Sequence, residues 1–251
     1  MQSFIRHTLL PAVIVLLLMA GAGYGAWQWV LSQPVSEVEV LGAKHAEVDS
    51  LRALARVDTS ATLRESAPRI LEGRVVRHPW VREASVTRWP TGNVVIRVRE
   101  RTPVALALDT RGVPDYYLDR RGFQMPLTPD GVYDVPLLQG FDGPRHPTRP
   151  AEDEVLRGLL QTIAEASGNI DALVSGFEQD ASGDVIVHTA PVDNRGSLAA
   201  TLGREAFPGR LSRLHAFIDQ AVRQQPDVRF DSIDLRFDDQ IVARQERKTQ
   251  P

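Results

Sequence analysis

Chemistry in a folded chain needs side chains that move protons, bind metals or attack bonds, and here they are poorly spaced for it. The six histidines are His7, His45, His78, His146, His188 and His215. None lies three or four residues from another, so no helix face offers a paired metal ligand. No cysteine is present, which removes thiolate nucleophiles, thiolate metal sites and disulfides together. A nucleophile elbow, a zinc-protease helix, a P-loop and a dinucleotide fingerprint are all missing. Carboxylates are plentiful, but no local pattern marks one as half of an acid/base pair. We expect no catalytic residue, no cofactor and no metal, and hence no enzyme.

The basic residues invite an anion-binding reading. Arg97, Arg99 and Arg101 alternate along one stretch, as a strand face would place them. Glu83, Glu100 and Asp109 lie close in sequence, and the formal net charge is -3. That balance argues against nucleic acid as a partner and for a solvated strand face. Arg120-Arg121-Gly122 reads as a tight turn.

The elements that would carry any site begin with an apolar run. No charged side chain occurs from Thr8 to Ser36. A helix over Thr8–Leu31 would be roughly 36 Å long, enough for a hydrocarbon core of about 30 Å. Tyr24, Trp27 and Trp29 fall near its end, where rings favour the interface. Arg6 precedes the run and Glu37 follows it, so the short end, residues 1–7, is expected inside and the body outside. A cleavable leader is the competing reading, with Leu9–Met19 as its apolar core and Ala20–Ala22 as cleavage site. In either case the body lies outside the cytoplasm.

Val38 and Val40 alternate with Glu37 and Glu39, as in a half-buried strand. Val48, Leu51, Leu54 and Ala55 have helical spacing. A second helical face runs through Leu63, Ile70, Leu71 and Val75, interrupted by Pro68. Then "HPWVREASVTRWPTGNVVIRVRERTPVAL" reads as two strands joined at Pro90–Asn93, with Trp80, Ala84 and Val86 on one face. The order β-α-α-β-β makes a compact α+β unit. Beyond Pro103, short strand-like runs alternate with Gly and Pro. Residues 151–167 form a helix with Val155, Leu156, Leu159, Leu160 and Ile163 on its apolar face. A hairpin turns at Ser182-Gly183, and "SLAATLG" is a further strand. Leu211, Leu214, Phe217, Ile218 and Ala221 line a second amphipathic helix. Last, Ile233, Leu235 and Phe237 alternate with Asp234, Arg236 and Asp238. The tail, residues 245–251, is charged and is expected to be disordered.

Several strings, in this order and after one apolar run, resemble the bacterial FtsQ/DivIB cell-division family. They are "VEVLGAKHAEVDSL" at Val38–Leu51, the hairpin string at His78–Leu106, "YLDRRGFQMPL" at Tyr117–Leu127, "LGREAFPGRLSRL" at Leu202–Leu214 and "IDLRF" at Ile233–Phe237. The resemblance implies a transmembrane helix over residues 8–31, a POTRA domain over residues 35–101 and a β domain over residues 102–244, with an open sheet edge. It implies a non-enzymatic scaffold of the division machinery, in the inner membrane at the septum, with a periplasmic body. FtsB and FtsL would bind the β domain. FtsK, FtsW and FtsI would be further partners, through the POTRA unit and the span.

In the family the FtsB contact uses the last strands, to which an extended FtsB segment is added. Carried over, the partner-binding residues are Ile233, Leu235, Arg236, Phe237, Asp239, Ile241 and Arg244. Arg236 matches the family's arginine and would hold a partner carboxylate. Phe237 stands where many relatives carry tyrosine, so the ring contact is kept without its hydroxyl. Arg244 stands near the position of the family's late tryptophan. Core packing is the competing reading for Ile233, Leu235 and Phe237. Two functional alternatives belong to other classes: a secretion or outer-membrane assembly module with POTRA units and a cleaved leader, and an envelope hydrolase.

Overall fold

The computed structural model describes residues 2–57, 62, 64, 67–129, 131–141, 143–166, 173–192, 196–225, 228–237 and 240–245. The chain divides into two compact units, Met1–Glu100 and Arg101–Pro251. Both fit the expected α+β class.

The first unit opens on α1 (Gln2–Leu31), which starts well before the expected Thr8. Among the described residues, Ala12–Leu31 is the one stretch long and apolar enough to cross a membrane. Then come β1 (Glu37–Leu41), α2 (Val48–Ala55), α3 (Pro68–Val75), β2 (Val81–Arg88) and β3 (Asn93–Glu100), the β-α-α-β-β order read from the sequence. The strands are ordered β1-β3-β2, with β1 parallel and β2 antiparallel to β3. Alternation along β3 buries Val94, Ile96 and Val98 while Arg97 and Arg99 face solvent. Arg99 meets Glu83 across the strands at 3.2 Å, so the solvated face expected of Arg97, Arg99 and Arg101 holds for the first two. Arg101 departs from it, because it lies beyond the end of β3 and is buried against Asp119.

Two details of the helices differ from expectation. Pro68 does not interrupt α3 but starts it, where its missing N–H leaves no intrahelical bond unmade. The turn phase set from there buries Leu71 and Val75 and leaves Ile70 54% exposed. Leu63 lies outside the described residues. Helix α3 also meets one margin of the small sheet: the Val86 N–H of the terminal strand β2 donates to Glu72 Oε1 at 2.9 Å, where a neighbouring strand would otherwise offer a carbonyl. At the end of β1, Gly42 has φ +87°, and a Cβ there would meet the Val98 carbonyl oxygen at 2.3 Å. Only glycine fits.

The loop after Gly42 is pinned by the last residue of β3. Glu100 Oε1 accepts the N–H groups of Lys44, His45 and Ala46 at 2.8, 2.9 and 2.8 Å. Its Oε2 pairs with His45 Nδ1 at 2.8 Å. Burial by itself pushes the Glu100 carboxyl up, but the three N–H groups and the His45 ring outweigh it, leaving the group below its ordinary range. Burial pushes His78 down, against the pull of Glu100. Both shifts act with one sign. The unfolded chain binds protons at higher pH than the fold does, so acidification removes stability. His78 begins to cost below about pH 6.5, and Glu100 below about pH 4.3. Tryptophan fluorescence of the full chain against pH should show an acid transition of this unit, and Glu100→Gln should flatten its lowest limb. A transition identical in the variant would remove Glu100 from the account.

The second unit holds β4 (Pro103–Leu108), β5 (Pro114–Asp119), β6 (Gln124–Pro126), β7 (Leu137–Gln139), α4 (Glu154–Glu165), β8 (Val174–Gln179), β9 (Val185–Thr189), β10 (Ala199–Gly203), α5 (Phe207–Phe217), β11 (Phe230–Asp234) and β12 (Val242–Gln245). Its strands form one sheet ordered β12-β11-β10-β9-β8-β7-β4-β5-β6. The Asp153 carboxylate caps α4 by accepting the Leu156 N–H at 3.0 Å. Leu159 and Leu160 of α4 and Leu214 of α5 are fully buried with Phe177 and Leu202 of the sheet. After Phe217 the helix widens into a π turn, Ile218–Val222, which keeps Ile218 and Val222 both in the core. At the start of β4 lies a buried ion pair: Arg101 Nη1 donates to Asp119 Oδ2 at 2.8 Å, with side chains 6% and 4% exposed.

Candidate partner-binding edge

Strand β11 is interior. It runs parallel to β10 on one side and antiparallel to β12 on the other. Strand β12 is terminal in the sheet, so its outer N–H and C=O groups face away from any described strand. Register pairs Asp234 with Val242, Ile233 with Ala243 and Ser232 with Arg244. The edge-to-face contact of Phe217 and Phe230, with centroids 5.3 Å apart, ties the start of β11 to the end of α5.

The seven sequence-derived contact residues separate once placed. Ile233 and Leu235 are 1% and 0% exposed and belong to the core of the unit. For their side chains the packing reading holds, because alternation along β11 turns this face toward the helices. Ile241 is half-buried against the same core. Asp239 lies outside the described residues. Phe237 is 47% exposed. Arg244 is exposed on β12.

Arg236 corrects an expectation. Its Nε and Nη2 donate to the two oxygens of Asp234, at 3.0 and 2.6 Å, and its Nη1 donates to Asp184 at 3.0 Å. All three nitrogens are thus engaged by carboxylates of its own chain. The Arg236 guanidinium holds the Asp234 carboxyl below its ordinary range, against the upward push of burial. Arg236 is tied down as part of the β11 turn, not held out for a partner's carboxylate. Beside it Gly203 has φ +78°, and a Cβ there would meet Arg210 Nη1 at 2.8 Å.

The expected single strand through Phe237 also ends early. Strand β11 stops at Asp234, and the Leu235 N–H makes the last bond to β10, at Thr201 O, 2.9 Å away. Beyond it, arginines of α5 take over. Arg213 Nη2 donates to Leu235 O at 2.5 Å and Nη1 to Phe237 O at 2.6 Å. Arg210 Nη2 reaches Arg236 O at 3.3 Å. Neither arginine was singled out from the sequence, although "GRLSRL" spaces them one helical turn apart. Val242, 46% exposed on the edge strand, was also missed. Asp184 lies far off in sequence and gave no signal there. The exposed side chains are therefore Phe237, in the connection before β12, and Val242 and Arg244 of the four-residue edge strand, whose outer side pairs with no described strand. This suits strand addition better than chemistry. Among the described residues no group of three or more His, Asp or Glu gathers as a metal site would.

Two family models match. Residues 102–244 match the model described as FtsQ/DivIB, C-terminal related, and residues 33–101 match the model described as POTRA domain, FtsQ-type. The cell division protein FtsQ of Rhodothermus marinus is 44% identical, over 98% of this chain and 90% of the relative. That of Salinibacter ruber is 40% identical, over 96% and 95%. That of Geobacter sp. strain M21 is 27% identical, over 90% and 84%.

Proposed function

The chain belongs to the FtsQ/DivIB family of cell-division proteins, and on that premise we propose that it is a non-catalytic inner-membrane scaffold that recruits its partners through β12. It is a cell-division protein with a POTRA domain and an apolar N-terminal helix able to span a membrane. In the proposal that helix anchors it with the N-terminus in the cytoplasm. The body then lies in the periplasm, at the septum. An extended segment of FtsB, in complex with FtsL, adds to the outer edge of β12. FtsK, FtsW and FtsI are further partners, reached through the POTRA domain and the span. The family leaves no place for the secretion-module alternative, since the match continues through residues 102–244.

One observation carries this reading: the terminal strand of a nine-stranded sheet has a side that no described strand pairs, and the half-exposed ring of Phe237 lies in the connection that leads into it. Backbone groups there give affinity, and Phe237 and Val242 give side-chain selectivity. Phe237→Glu puts a charge where a ring is expected to be buried. It should weaken FtsB binding by about 2 kcal/mol, roughly thirtyfold, without unfolding the chain, since the ring is half exposed. Titration of the full chain in nanodiscs with purified FtsB–FtsL measures this. Undiminished binding by the folded variant places the contact elsewhere.

A further inference from the structure

We infer that Arg213 of α5 is a positioning residue for the partner edge, an inference that rests on the strand-addition reading above. After Asp234 the chain must reverse to make β12. At that point the ladder to β10 ends with the Leu235 N–H. The next three carbonyls, of Leu235, Arg236 and Phe237, have no strand to bond. Two arginines one helical turn apart receive all three. Guanidinium-to-carbonyl bonds are charge-assisted and directional, so the direction in which the chain leaves β11 is set by α5. Helix α5 is itself fixed by Leu211 and Leu214 in the core. The position of Phe237, and through it the hairpin β11–β12, is thus keyed to the interior by way of Arg213.

The two arginines divide the work. Arg210 is 8% exposed and also bonds Leu202 O and Glu205 O at 2.5 and 2.8 Å, so its loss would test folding. Arg213 is only half-buried. Replacing it frees the Leu235 and Phe237 carbonyls to bond water, so the fold survives and the four-residue edge strand loosens. A partner strand would then have to order the edge on arrival, which lowers affinity without removing a contact.

The test uses the full chain in nanodiscs with purified FtsB–FtsL as probe, comparing Arg213→Met, Arg213→Lys and Phe237→Glu. Arg213→Met should raise Kd about tenfold, and Arg213→Lys, which keeps one donor group, should recover part of the loss. Without the probe, amide exchange of Val242–Gln245 should quicken in Arg213→Met while Val185–Thr189 stays protected. Unchanged Kd or unchanged β12 exchange in Arg213→Met, with Phe237→Glu still weakened, overturns the positioning role and leaves strand addition standing. Faster exchange in β9 as well means general unfolding, and overturns it too. If Phe237→Glu also binds normally, the edge reading fails and the inference falls with it.

Discussion

Asp119→Ala should lower the stability of the C-terminal unit by about 3–5 kcal/mol, the cost of leaving a buried charge without its partner. The Arg101 and Asp119 side chains are 6% and 4% exposed and 2.8 Å apart. Asp119 Oδ1 also accepts the N–H groups of Arg121 and Phe123, both at 2.9 Å, which closes the turn between β5 and β6. The Arg101 guanidinium lies 3.6 Å from the centroid of the Phe123 ring, so few water molecules can replace the lost carboxylate. Denaturant unfolding of the full chain, followed by exchange of amides in β4 and β5, reads the loss. The double replacement Arg101→Met, Asp119→Leu should be less damaging than either single change, because it buries no lone charge. A loss below about 1 kcal/mol in Asp119→Ala would mean that the pair is hydrated in solution.

Trp80→Ala should cost the N-terminal unit about 3–5 kcal/mol, as large aromatic truncations in cores do. Trp80 is 1% exposed, and its ring stacks on His45 at 4.8 Å between centroids. Its backbone N–H donates to His78 Nδ1 at 3.3 Å, a bond that every variant at this position keeps, so the loss measured belongs to the ring. The ring is thus the floor on which the loop held by Glu100 rests. Exchange of amides in β3 should rise sharply while those of β8 and β9 stay protected. Trp80→Phe, which keeps a ring, should cost much less. Equal costs for the two variants would show that a phenyl ring cannot stand in for the indole there.

The β-α-α-β-β unit was legible because its signals are local. Alternation in Asn93–Glu100, helical spacing at Leu51 and Ala55, and turn residues at Pro90–Asn93 each act within a few positions. Pro68 was legible as a boundary but not as to which side of it the helix lay, and that choice alone decided the fate of Ile70. The terminal strands were legible as strands, but not which of their side chains the core would take. Ile233 and Leu235 alternate as a buried face and an exposed face alike would, and only the helices above them decide. Arg236 looked available because its carboxylates include Asp184, far away in sequence. Arg213 was hidden for the same reason: its acceptors are main-chain oxygens, which leave no trace in residue identity.

The opposite margin of the large sheet has its own meaning. Strand β6 is three residues long and ends in Pro126, which supplies no N–H, and the small sheet has Glu72 across its margin at Val86. Molecules confined to a membrane meet at high local density, and slabs with two receptive rims would grow into fibres. With the far rim of the large sheet blunted by Pro126, the proposed addition at β12 would have no second receptive rim in that sheet to propagate from, and would give a junction with a defined direction.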